Sequence, residues 1–295
     1  MTREPRTQPV TRGPRTQGIS RRRQAAHVLR AVVILLVLIW SGVPIAFVVL
    51  SSFKPNQQIF TYPPTLLFTP TLEHYSDLLV KWPDFLRTLG NSLAVTAGAT
   101  LVCVGSSVLA GYVYSRVRNR LAAASAFYMV GIRLLPPIVV TLPLFPLADY
   151  LGLSDTRTAL IILYASFFVS LGTLLLKSFI DGIPEELDQA ARIDGATDFV
   201  ILTRIILPLS AQGLVAASVF IVVYAWNEYL FAFIFTTTRA KTAPLLLSEM
   251  MSSLTGVDWG VLFAAVTVQL LPIVLFVILV QRFLISGLTA GALKG

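Results

Sequence analysis

The chain is predicted to be an all-α integral membrane protein with six transmembrane helices and both termini in the cytoplasm. Three observations carry this expectation. Its 295 residues are 55% apolar and only 13% charged, and a mean hydropathy of +0.76 lies outside the range of soluble globular domains. Apolar stretches long enough to cross a hydrocarbon core of roughly 30 Å recur along the chain. Between the fourth and fifth of them sits a charged island, residues 183–208, patterned as a helix hairpin and too polar to enter a bilayer.

Residues 1–27 hold Arg3, Arg6, Arg12, Arg15, Arg21, Arg22 and Arg23 among Thr, Pro and Gln, and much of the net charge of +8. This composition predicts a disordered basic tail. Such a run is compatible with nucleic acid, but beside a membrane span the positive-inside rule accounts for it. The expected partner is therefore the lipid bilayer and not nucleic acid. Residues 31–50 form the first span. They are too long for a cleaved signal peptide, and no small-residue cleavage site follows. Residues 51–84 carry Pro55, Pro63, Pro64, Pro70 and Pro83 and read as an ordered external loop. His27 and His74 lack metal-ligand spacing and are expected at the surface; no metal site is expected.

The second span, 86–113, contains Cys103, Ser107 and Gly111, a small-residue seam for close helix packing. Arg116, Arg118 and Arg120 follow it and assign this end to the cytoplasm. Cys103 is the only cysteine, so there is no disulfide framework. The third span, 122–148, carries Pro136, Pro137, Pro143 and Pro146. Prolines are tolerated in a membrane where the freed carbonyls face protein or a wet cavity, so this helix is expected to be broken and to line something. The fourth span is 158–179, the fifth 211–235 and the sixth 259–281, leaving a C-terminal tail of 282–295.

Within the island, Pro184 suits a first helical turn, with Glu185 and Glu186 against the positive end of the helix dipole. Leu187, Ala190 and Ala191 then recur on one narrow apolar face. Asp194-Gly195 breaks the helix. A second short helix places Phe199, Leu202 and Ile206 on one side and is expected to stop before Pro208. The whole reads as a hairpin offered to a partner.

This stretch resembles the "EAA" loop of ABC importer membrane subunits, in the frame Gln189, Ala190, Ala191, Gly195, Ile205, Leu207 and Pro208. The loop's usual glutamate is here Gln189. The order of elements from about residue 28 onward, with Asn91-Ser92-Leu93, Trp226-Asn227-Glu228 and the Gly287–Gly295 tail, resembles the carbohydrate-uptake branch of these permeases, of the second maltose type. The resemblance implies a type-I transmembrane domain over 28–295 that imports a carbohydrate or polyol by alternating access. It also implies a second permease subunit, an ATPase subunit dimer that holds ATP and magnesium, and an extracytoplasmic solute-binding protein. The coupling-loop residues would be Glu185 to Ala191, Asp194, Gly195, Phe199, Leu202, Ile205, Leu207 and Pro208. Glu186 or Asp188 is at hand to replace the missing glutamate in its contact with an ATPase arginine.

No energy-converting site is legible in the chain itself. Gly172 to Lys177-Ser178 lacks the second glycine of a phosphate loop and lies inside a span, where its amides are committed to the helix. No nucleophile and base converge, so an enzyme is not expected and no cofactor is assigned to this chain. Arg133 is a charge deep in the third span, which costs about 2.5–3.5 kcal/mol even on a lenient scale. It should face a cavity or protein. Arg133, Pro136, Pro137, Trp226, Asn227 and Glu228 are the substrate-path candidates. A secondary transporter or channel is the alternative; it calls for inverted repeats and intramembrane acids and leaves the hairpin unexplained.

Overall fold

The computed structural model describes residues 17–65, 67–253 and 256–292, with side chains from residue 26 to 281 and at Phe283. The basic tail up to residue 16 and the last three residues lie outside them. The described residues are helical, with no strand among them. The chain divides into two units, residues 1–50 and 51–295.

In the first unit, α1 (Gln17–Ser51) begins ten residues earlier than the predicted end of the tail. Its spanning part is Ala26–Ser51. In the second unit, α2 (Asn56–Ile59) and α3 (Glu73–Lys81) lie in the loop predicted as external. This loop is ordered by His74, whose Nε2 lies 2.6 Å from the Lys54 carbonyl oxygen. His74 is 3% exposed and packs where Gly260 leaves room, so the expectation of a surface histidine fails. A polar ring that shares its hydrogen bond with buried backbone is satisfied inside.

The long helices α4 (Phe85–Arg116) and α7 (Arg157–Asp181) pack side by side. Cys103, Ser107 and Gly111 are buried along the contact. A Cβ on Gly172 would sit 2.4 Å from Ser107 Oγ, and one on Gly111 would meet the Lys177 backbone nitrogen at 3.2 Å. The small residues therefore let two backbones approach, and the role of Gly172 is this packing. Between them the chain forms α5 (Arg120–Ile132) and α6 (Pro137–Tyr150), bent by 97°. The break predicted in the third span falls at residues 133–136.

After α7 come α8 (Glu185–Ile193), α9 (Asp198–Ile201), a π turn (Leu202–Ile206) and α10 (Leu207–Leu209). Then follow α11 (Ala211–Trp226), α12 (Leu230–Phe235), α13 (Ala243–Met251) and α14 (Trp259–Ala292). The fifth span, predicted as one helix over 211–235, is interrupted at residues 227–229. Helix α14 continues past the predicted tail boundary at 282. Among the described residues, four helices are long and apolar enough to span a membrane, and up to six crossings result if each bent pair counts as one.

Helix α4 passes through all three parts of the core. Its start, at Phe85, joins Leu78, Leu246 and Val261. Its middle, Val95 to Cys103, packs with Tyr164, Phe168 and Ile221. Val108 and Tyr112 reach the cluster of Leu176, Ile180, Ile201 and Ile206. One end of the α4–α7 pair thus carries the hairpin, and the other the loops around residues 155 and 240.

Candidate functional site

The hairpin follows from its sequence. Pro184, at φ −56° and ψ 132°, caps α8 from outside instead of occupying its first turn. Glu185, Glu186 and Asp188 fill that turn, where their charge suits the helix dipole. At the other end the amide of Ala196 donates to the Ala191 carbonyl at 2.9 Å and that of Gly195 to Arg192 at 3.0 Å. This is a Schellman closure, and it needs Gly195 at φ +87°. Arg192 and Asp198 pair across the turn at 2.9 Å.

The second arm does not stop before Pro208. A proline ring clashes with the carbonyl four residues back in an α-helix, and the π turn at Leu202–Ile206 widens the helix just ahead of it. The arm runs on to Leu209 and ends at Ser210 with a 78° bend.

Burial fixes which side of α8 faces the rest of the chain. Asp188 is its only buried residue. Arg116, at the end of α4, donates from Nε to Asp188 Oδ2 at 2.7 Å, and from its terminal nitrogens to the carbonyls of Ile183 at 3.0 Å and Ile180 at 3.4 Å. These side chains are 7% and 2% exposed. Asp188 is thus committed inside the chain and is not free to replace the missing glutamate; Glu186 is exposed.

Leu187, on the apolar stripe read as offered to a partner, is 43% exposed, Phe199 71% and Ile193 87%. Gln189, Ala190, Asp194, Gly195 and Pro208 are also exposed, Glu185, Ala191, Ile205 and Leu207 half-buried. Leu202 and Ile206 are buried, so Phe199 does not share their side. Ile193 lies off the 187, 190, 191 stripe, which is why the sequence pattern did not single it out.

The substrate-path candidates fall into two places. Arg133 and Pro136 lie in the break before α6, with Pro137 opening that helix; Arg133 lines a cavity of about 260 Å³ with Ser166, Ser170 and Tyr128. Trp226 is 4% exposed and lines a separate, largely apolar groove of about 450 Å³ with Thr96, Thr100 and Phe276. Asn227 is exposed and donates to its own helix at the Val223 carbonyl. The Glu228 carboxylate accepts from the amides of Phe231 at 3.0 Å and Ala232 at 3.4 Å, so it caps α12 and does not present a free acid. The break in the fifth span has this cap and no proline or glycine, which is why the sequence concealed it.

The opposite end holds an arrangement that the sequence did not signal. Asp155, at φ 55°, accepts from the amides of Thr237, Thr238, Arg239 and Ala240 and from the Thr238 hydroxyl. Burial pushes its carboxyl up, but the amides of Ala240, Arg239 and Thr237 and the Thr238 hydroxyl outweigh this and hold it well below the usual carboxylate range. Asn91, fully buried, donates to the carbonyls of Arg239 and Lys241 at 2.9 and 2.7 Å and accepts from Arg157 Nε at 2.7 Å. Ser92 Oγ accepts from the Ala243 amide at 2.8 Å. The Asn-Ser pair noted in the sequence is therefore a clamp on the 236–243 segment.

Comparison with known proteins gives three kinds of match. Residues 103–289 match the family model described as binding-protein-dependent transport system inner membrane component. The chain is 36% identical to an inner membrane ABC transporter permease protein of Escherichia coli, over 88% of this chain and 94% of that one. It is 33% identical to a trehalose/maltose transport system permease protein of Thermococcus litoralis, over 91% and 94%. Its fold matches a chain in the crystal structure of a bacterial ABC transporter involved in the import of the acidic polysaccharide alginate. That match has a TM-score of 0.73 at 19% identity and covers 88% of this chain and 96% of that one.

Proposed function

Since this chain belongs to the family of binding-protein-dependent transport system inner membrane components, we propose that it is the permease subunit of an ATP-driven importer moving a carbohydrate or polyol across a prokaryotic cytoplasmic membrane by alternating access. The family is one of transport subunits, not of enzymes. The observation that carries the reading is the hairpin, a rigid helix pair at one end of α4 and α7 that turns Leu187, Ile193 and Phe199 outward. Large apolar side chains exposed on a closed turn mark a surface for a partner.

That partner is an ATPase dimer with its ATP and magnesium, and Arg116, Arg118 and Arg120 support a cytoplasmic place for it. A groove in the ATPase that closes on ATP would carry the hairpin as a body and, through Arg116 and Asp188, move α4 and α7 with it. A second permease subunit completes the pore, and an extracytoplasmic solute-binding protein delivers the solute at the end held by Asp155 and Asn91. A carbohydrate cargo is supported by the relative that carries trehalose and maltose. In vesicles containing the complex, uptake of labelled sugar is expected to require ATP and to persist when ion gradients are collapsed. Uptake that follows the gradient and ignores ATP would favour a secondary transporter.

A further inference from the structure

Among the described residues, the cation at the break between α5 and α6 has no counter-charge. Arg133 is half-buried, and among the described residues no carboxylate lies within ion-pair distance of it. Helix α5, with 13 residues, rises about 20 Å before it, so the charge lies far from the Arg120 end. The cavity that Arg133 lines measures about 260 Å³, room for one sugar ring or an acidic substituent.

A second group in the same lining is idle. Ser170, on α7, is 5% exposed, and its hydroxyl has no partner. A buried hydroxyl left unpaired is costly, as is a cation removed from water without a partner. A neutral sugar would answer the hydroxyl and leave the cation. An anion answers both, and the planar fork of a guanidinium matches the two oxygens of a carboxylate.

We propose that this cavity takes the anionic group of the transported solute, which makes the cargo an acidic sugar of the uronate type. The proposal rests on the permease reading above.

The test uses the complex purified with its ATPase and second permease. Ser166, exposed at the cavity, is replaced by cysteine, and the native Cys103 stays in place, since it is fully buried. Labelling rates are compared for an anionic and a cationic methanethiosulfonate. The anionic reagent is expected to react several-fold faster. D-glucuronate and D-galacturonate are expected to slow labelling, while D-glucose and D-galactose do not.

Adding Arg133→Gln should remove both the preference and the protection, and Arg133→Lys should keep the preference. Equal rates would mean that a partner's acid neutralises Arg133, and would overturn the proposal. So would a preference that survives Arg133→Gln, protection by no acidic sugar, or a cysteine that never reacts. Failure of the permease reading would show earlier, as a chain purified without an ATPase.

Discussion

Replacing Arg116 with glutamine is expected to release α8 from the α4–α7 pair and to lower stability by about 3–5 kcal/mol, the usual effect of removing one partner from a buried ion pair. The estimate applies because both side chains are nearly inaccessible, at 7% and 2% exposure. Without the guanidinium, Asp188 keeps a buried charge with no counterpart, and the carbonyls of Ile180 and Ile183 each lose a side-chain donor. The nearby pair of Arg118 and Glu185 is just as short, at 2.7 Å, but 81% and 41% exposed. Its loss is expected to change stability by about 0–1 kcal/mol. Substituting leucine at both 116 and 188 should cost less than Arg116→Gln alone, since no charge is stranded. Thermal unfolding of the solubilised complex ranks the variants. Comparable losses at Arg116 and Arg118 would remove the buried pair from the account.

Asp155→Ala is expected to free the 236–243 segment and to cost on the order of 3 kcal/mol, since several hydrogen bonds to a charged acceptor, each worth about 1.5–3 kcal/mol, are lost together and not additively. The pH dependence has a definite sign. The folded carboxyl titrates below the unfolded value of about 3.9, so its contribution is complete above that value and declines as the pH falls below it toward the folded one. At neutral pH the wild type keeps all of it, and the variant should show a smaller acid-dependent loss below about pH 4. Hydrogen exchange at the amides of Thr237 to Ala240 reports the same event locally. Unchanged protection there would mean that Asn91 and Ser92 hold the segment without Asp155.

Much of this architecture was legible because its signals are local. The prolines at 136 and 137 announced a break in the third span, and the small residues 103, 107 and 111 a close helix contact. Pro184 and Gly195 framed α8 to within a residue. What stayed hidden depends on partners distant in the chain. Asp188 reads as an outward residue until Arg116, 72 residues earlier, turns it inward. Pro208 read as a stop because sequence patterns assume α geometry, whereas a π turn carries the helix past it. Glu228 resembled a pore acid, yet its oxygens are occupied by the start of α12. Asp155 gave no sign at all, since its five donors come from a segment more than 80 residues away.

The proposed docking of an ATPase rests on the apolar side chains that the hairpin turns outward. Ile193 and Phe199 are 87% and 71% exposed, so Ile193→Asp with Phe199→Asp should leave the fold intact and alter only the docking surface. The most direct measurement is gentle affinity purification of the tagged chain, wild type beside this double variant, with mass spectrometry of what accompanies each. An ATPase and a second permease are expected with the wild type, and the second permease alone with the variant. An ATPase retained in full by the variant, or absent from a wild-type chain that is active in its membrane, would contradict this docking.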